Sequence, residues 1–115
     1  MKLFDRCSAH PMGFREVSPA AVAEDRGQTR LVDVREPHEF TGELGHVKGA
    51  ELVPLATVGA TAKSWSKDDD VVVICRSGGR SGRAAAELAQ AGFARVMNMV
   101  GGMLAWNEAK LPVER

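Results

Sequence analysis

Two cysteines in 115 residues are too few to staple a small fold, so no disulfide framework is expected. A reactive thiol is best kept in a reducing compartment, and the expected location is the cytoplasm. Net charge is missing too: Lys+Arg 15 against Asp+Glu 15 gives +0 and a pI near 6.8. No global field therefore argues for a nucleic-acid or membrane partner. The charged start Met1-Lys2-Leu3-Phe4-Asp5-Arg6 has no apolar run behind it, so neither a secretory signal nor a transmembrane helix is expected. No Gly-Lys-Ser/Thr ending marks a nucleotide loop, and no second cysteine lies three residues from Cys75 to make a thioredoxin-type pair. His10, His38 and His46 have no zinc-type spacing with the cysteines, so no metal and no cofactor are expected.

What the chain does have is one stretch of concentrated chemistry, Val71-Val72-Val73-Ile74-Cys75-Arg76-Ser77-Gly78-Gly79-Arg80-Ser81. Four β-branched residues after the turn-forming Asp68-Asp69-Asp70 predict a strand buried on both faces, with a thiol at its end. A tight glycine loop follows. From Arg80 to Ala91 the residues favour a helix, which Gly92 stops. Amides at a helix start lack partners within the helix and carry the positive end of its dipole, so a loop wrapped over them is an anion cradle. Gly78 and Gly79 carry no Cβ to hold amides off a bound anion, while Arg76 and Arg80 add charge. Cys75 is therefore expected as a thiolate, below the free-cysteine pKa of about 8.5. The competing reading, an inert strand-end thiol, leaves two arginines and two glycines without a purpose.

One domain is expected from 115 residues that are 44% hydrophobic. Residues 1–13 lack a period and read as an irregular N-terminal arm, with the domain proper at 14–115. Cys7 in the arm is either a resolving partner for an oxidised Cys75 or an unpartnered thiol. Phe14 to Val17 reads as a short edge strand, and Ser18-Pro19 opens a brief helix that Gly27 stops. Leu31 to Val34 is a second, internal strand, in which Asp33 must be paired or hydrogen-bonded. Asp33 and Arg35 are expected to serve local loops and charges. Pro37 to Phe40 suits one helical turn, and His46, ahead of a third strand at Ala50 to Val53, is expected to orient its surroundings by hydrogen bonding. A weak helical pattern runs from Pro54 to Trp65, a fifth strand from Ala94 to Val100, and a last helix from Met103 to Lys110. Strands alternating with helices imply a parallel sheet covered on both faces, with ligands at the carboxyl ends of its strands.

Four segments together resemble the rhodanese-like family: Asp33-Val34-Arg35-Glu36, Gly45-His46-Val47-Lys48-Gly49-Ala50, the Cys75 loop after its apolar strand, and Gly101-Gly102 with Trp106. The resemblance covers nearly the whole chain after the arm. It implies an α/β domain with a five-stranded, mainly parallel sheet, and a sulfurtransferase whose nucleophile corresponds to Cys75. The cysteine would take sulfur from a small anionic donor such as thiosulfate, become a persulfide, and pass the sulfur to cyanide, a thiol or a protein acceptor. Amides from Arg76 through Ser77, Gly78 and Gly79 to Arg80 would hold the anion, with Asp33, Arg35 and His46 in support. A sulfur-relay or regulatory binding module is the alternative. A phosphatase or arsenate reductase is disfavoured, because the related phosphatases have a loop one residue longer.

Overall fold

The computed structural model describes residues 2–115. Its sheet is organised on Val71–Ile74, the central strand β5, where all four side chains are fully buried. Alternation divides them between two layers: Val71, Val73 and then Cys75 face one cluster, while Val72 and Ile74 face the other. Burying each such side chain contributes about 1.5–3 kcal/mol, which suits a strand with neighbours on both edges and helices over both faces.

Six strands form the sheet: β1 (Ser8–Ala9), β2 (Arg15–Val17), β3 (Arg30–Asp33), β4 (Glu51–Leu52), β5, and β6 (Val96–Met99). Their spatial order is β1-β2-β6-β5-β3-β4. All pairings are parallel except β1 with β2. The helices are α1 (Pro19–Asp25), α2 (Pro37–Phe40), α3 (Val58–Thr61), α4 (Gly79–Gln90) and α5 (Gly102–Glu108). Residues of α3 and α4 pack in the layer of Val73 and Cys75, and residues of α1 and α5 in that of Ile74. Ser18 caps α1 through a hydrogen bond from the Ala21 amide at 3.1 Å, with Pro19 in the first turn, as the sequence predicts. No helix among the described residues is long and apolar enough to cross a membrane.

Three expectations need correction. The sheet has six strands rather than five, and Phe14 to Val17 does not lie at its edge, because Ser8 and Ala9 pair antiparallel with Glu16 and Arg15. The segment read as an irregular arm also contains a 3-10 turn, Leu3–Arg6, whose Leu3 and Phe4 are buried. A two-residue strand and one turn have no period to detect; long-range contacts hold them. The Arg15 guanidinium lies 4.0 Å from the centre of the Phe4 ring and donates to the Phe4 carbonyl at 2.9 Å, while His10 stacks on Phe14 at 4.2 Å. The Pro54 to Trp65 pattern resolves into α3 flanked by 3-10 turns, Leu55–Thr57 and Ala62–Ser64.

Candidate active site

At the carboxyl end of β5 the chain must turn into α4, and the turn is fixed from two sides. The carbonyls of Cys75 and Arg76 accept from the Met103 and Leu104 amides of α5, at 2.9 and 3.0 Å. This approach needs glycine at position 102: its φ is +56°, and a Cβ there would come within 2.6 Å of the Arg76 carbonyl and also collide with the Cys75 carbonyl. On the other side Gly78, at φ +107°, turns its amide toward the thiol and donates to Cys75 Sγ at 3.0 Å. The side chain of Ser81, in the first turn of α4, lies 3.3 Å from the same sulfur.

Cys75 is buried. Burial pushes its thiol up, but hydrogen bonds from the Ser81 hydroxyl and from the amides of Ser81, Gly78 and Ser77 outweigh it, so the group sits below its ordinary value. Cys7 is the opposite case. Its thiol donates to the Leu3 carbonyl at 3.2 Å, burial raises it, and it packs against the core layer on the other face of the sheet.

Arg76 and Ser77 are exposed. Gly79 has no positive φ, and a Cβ there would meet nothing within 4 Å, so the packing of the chain itself does not require its glycine. Arg80 is not the free charge that the sequence suggests. Its guanidinium donates with both arms to Glu39 of α2, at 2.7 and 2.8 Å, and this pairing holds the Glu39 carboxyl at about 2.

Asp33 and Arg35 form a buried two-pronged pair at 2.9 and 2.7 Å. Arg35 then donates to the carbonyls of Gly45 at 2.7 Å and Glu39 at 3.2 Å, so it ties the end of β3 to the helix that carries Glu39. His46 stacks on Phe40 with ring centres 3.7 Å apart, and its Nδ1 lies 2.8 Å from the Phe40 carbonyl. A carbonyl only accepts, so Nδ1 carries the proton.

Sequence reasoning missed three side chains here. Glu39 sits 41 residues from Arg80, and only the tertiary fold joins them. Ser81 reads as an ordinary helix residue, yet it is fully buried. Asn98 carried a signal, a polar residue between Met97 and Met99 in a buried strand, where it must find hydrogen bonds. A cleft of about 390 Å³ beside the loop is lined in part by Gly78, Gly82, Arg83, Phe14 and Asn98. A larger one of about 870 Å³ lies at the amino ends of the strands, away from Cys75, near Gly27, Asp69 and Arg95.

The chain has relatives of similar sequence. A sulfurtransferase of Allochromatium vinosum is 39% identical over 89 residues, covering 77% of this chain and 81% of the relative. Thiosulfate sulfurtransferase 16 of Arabidopsis thaliana is 39% identical over 97 residues, covering 74% and 79%. Other relatives are longer. The chain spans 54% of an uncharacterized Synechocystis protein (37% identical over 98 residues, 84% of this chain) and 40% of a putative sulfur carrier protein of Bacillus subtilis (38% over 76 residues, 66% of this chain). Among solved structures, a rhodanese-related protein from Thermoplasma volcanium superimposes with a TM-score of 0.78 at 28% identity, covering 86% of this chain and 96% of that one. The model of the rhodanese-like domain matches residues 18–109, from the cap of α1 to the end of α5, and the chain belongs to that family.

Proposed function

We propose that the protein is a sulfurtransferase that carries sulfur as a persulfide on Cys75. The observation that supports this most strongly is the setting of one thiol: buried, at the start of the twelve-residue helix α4, with the Gly78 amide and the Ser81 hydroxyl against its sulfur. In the first half-reaction the Cys75 thiolate attacks the outer sulfur of thiosulfate. A Cys75–sulfur bond forms, the donor's S–S bond breaks, and sulfite leaves with the electron pair. In the second, cyanide or a thiolate attacks the terminal sulfur and the Cys75 thiolate leaves. Loop amides stabilise the anion at each stage, first the donor and then the terminal sulfur. The four residues between Cys75 and Arg80 make a small ring, which suits sulfur better than a tetrahedral phosphate.

A protein persulfide or thiol as exchange partner is the second reading. It is favoured by the Glu39 clasp, which neutralises Arg80 and weakens the attraction of the loop for a small dianion. Intact-protein mass spectrometry after brief incubation with thiosulfate tests the chemistry. The wild type and Cys7→Ser gain the mass of one sulfur, removable by cyanide, while Cys75→Ser gains none. Sulfur uptake by Cys75→Ser refutes the mechanism. Persulfide that resists cyanide but passes to a protein thiol selects the second reading.

A further inference from the structure

Cys75, Ser81, Asn98 and Gly78 close a ring of hydrogen bonds behind the thiol. The Gly78 amide donates to Cys75 Sγ at 3.0 Å, and the Gly78 carbonyl accepts from Asn98 Nδ2 at 3.2 Å. Because that carbonyl only accepts, the amide of Asn98 is oriented with Oδ1 toward Ser81, 2.5 Å from its hydroxyl. The hydroxyl also lies 3.3 Å from Cys75 Sγ. Ser81 has one proton for two acceptors, and at 0% exposure no bulk water supplies another.

When Sγ carries a proton the ring is complete in one direction: Sγ–H to Ser81 Oγ, Ser81 O–H to Asn98 Oδ1, Asn98 Nδ2–H to the Gly78 carbonyl, Gly78 N–H to Sγ. Ionisation breaks this pattern. The hydroxyl must then turn to the thiolate and leave Oδ1 as a buried acceptor without a donor, or stay on Oδ1 and leave the thiolate with amides alone. Asn98 therefore opposes ionisation, while Ser81 supports it.

We propose that Asn98 is a positioning residue for Cys75, competing for the Ser81 hydroxyl proton so that Sγ receives it only when charge develops there. The proposal rests on the sulfurtransferase reading for its use. In the persulfide, Sγ bears no charge and the Ser81 hydroxyl donates to Asn98 Oδ1. As the acceptor forms its bond to the terminal sulfur, the S–S electron pair moves onto Sγ, and the hydroxyl swings to meet it. Such an interaction is stronger in the transition state than before it, which is what accelerates a step. The other charged or titratable groups around the ring are Arg76 at the mouth, Arg80 of α4 with Glu39 of α2, the Asp33–Arg35 pair at the end of β3, Glu16 of β2, across from Asn98 on β6, and Arg83 of α4 and His10 along the cleft beside Gly78 and Asn98. None is changed in the variants below.

The experiment is the pH dependence of Cys75 alkylation by iodoacetamide in a Cys7→Ser background, for wild type, Asn98→Leu, Ser81→Ala and the double variant. Leucine keeps the branched heavy-atom shape of asparagine, and the Gly78 carbonyl keeps its bond from the Gly82 amide at 3.0 Å, so the loop is still held. Asn98→Leu lowers the midpoint by about 0.5 to 1 pH unit, the effect of about one hydrogen bond. Ser81→Ala raises it, and in that background Asn98→Leu has no further effect. A rise on Asn98→Leu, or the same shift with and without Ser81, overturns the proposal. If Asn98→Leu does not fold, Asn98→Ala is read through the same cycle. Alkylation needs no sulfur donor, so a midpoint shift in a chain that takes up no sulfur supports the ring and refutes only the transfer reading.

Discussion

Glu39 restrains the loop it touches, and removing its charge tests this. Arg80 grips Glu39 with both arms, at 2.7 and 2.8 Å, so its charge is committed before any donor arrives. Glu39→Gln is the right perturbation because it leaves the helix cap in place. Position 39 is the third residue of α2 and its Oε1 accepts from the Glu36 amide at 3.0 Å, a role glutamine also fills. Only the charge goes. With side chains 34% and 20% exposed, solvent screens the pair, and the coupling returned to an incoming anion is about 1 kcal/mol at most. That corresponds to about a fivefold fall in KM for thiosulfate, with kcat little changed. The assay is steady-state thiosulfate and cyanide kinetics at low and high salt. The gain shrinks as the ionic strength rises from about 0.05 to about 0.5 M, because exposed charges are then screened. An unchanged or raised KM in a variant that still unfolds in one cooperative transition refutes the idea that Glu39 withholds Arg80 from the donor.

Three further outcomes follow from the same geometry. Arg35→Met leaves the Asp33 carboxylate buried without its partner, so it costs about 3–5 kcal/mol and lowers the thermal midpoint by more than about 10 °C, whereas Arg80→Ala lowers the midpoint by no more than about 5 °C and weakens sulfur transfer; equal thermal losses would contradict the division between them. Gly102→Ala drives a Cβ into the Cys75 and Arg76 carbonyls at a φ of +56°, so the chain loses most sulfur uptake and its thiol becomes less acidic, as read by alkylation against pH. The Glu39 carboxyl is depressed from 4.5 to about 2 on folding, so its contribution to stability is complete above pH 4.5 and is lost as the pH falls toward 2; the difference in melting temperature between wild type and Glu39→Gln narrows across that window.

The parts legible in the sequence were those specified locally. Val71–Ile74 announced β5 by composition alone, Ser18-Pro19 announced the start of α1, and Gly92 announced the end of α4. Cys75 was legible because the residues that make it a strand-end thiol before a helix are its neighbours in the chain. Ser8–Ala9 was not, because its strand exists only through antiparallel pairing with β2. The Glu39–Arg80 clasp was hidden for a different reason. Each residue looks like ordinary surface charge in its own segment, and it takes Arg35, holding the Glu39 and Gly45 carbonyls, and His46, holding that of Phe40, to bring α2 to the mouth of the loop.

Gly102 shapes the candidate site although it does not touch the thiol. A peptide unit presents its N–H and C=O in opposite directions, so amides can converge on an anion only if their carbonyls have partners elsewhere. The Cys75 and Arg76 carbonyls find theirs in the Met103 and Leu104 amides at the start of α5, which would themselves lack partners within the helix. One set of hydrogen bonds thus satisfies two orphaned groups, and it requires the close approach that glycine permits at position 102. The acidity of Cys75 is in this sense a tertiary property. The strand supplies the sulfur and α4 the amides, while α5, from the far end of the chain, turns the intervening carbonyls away.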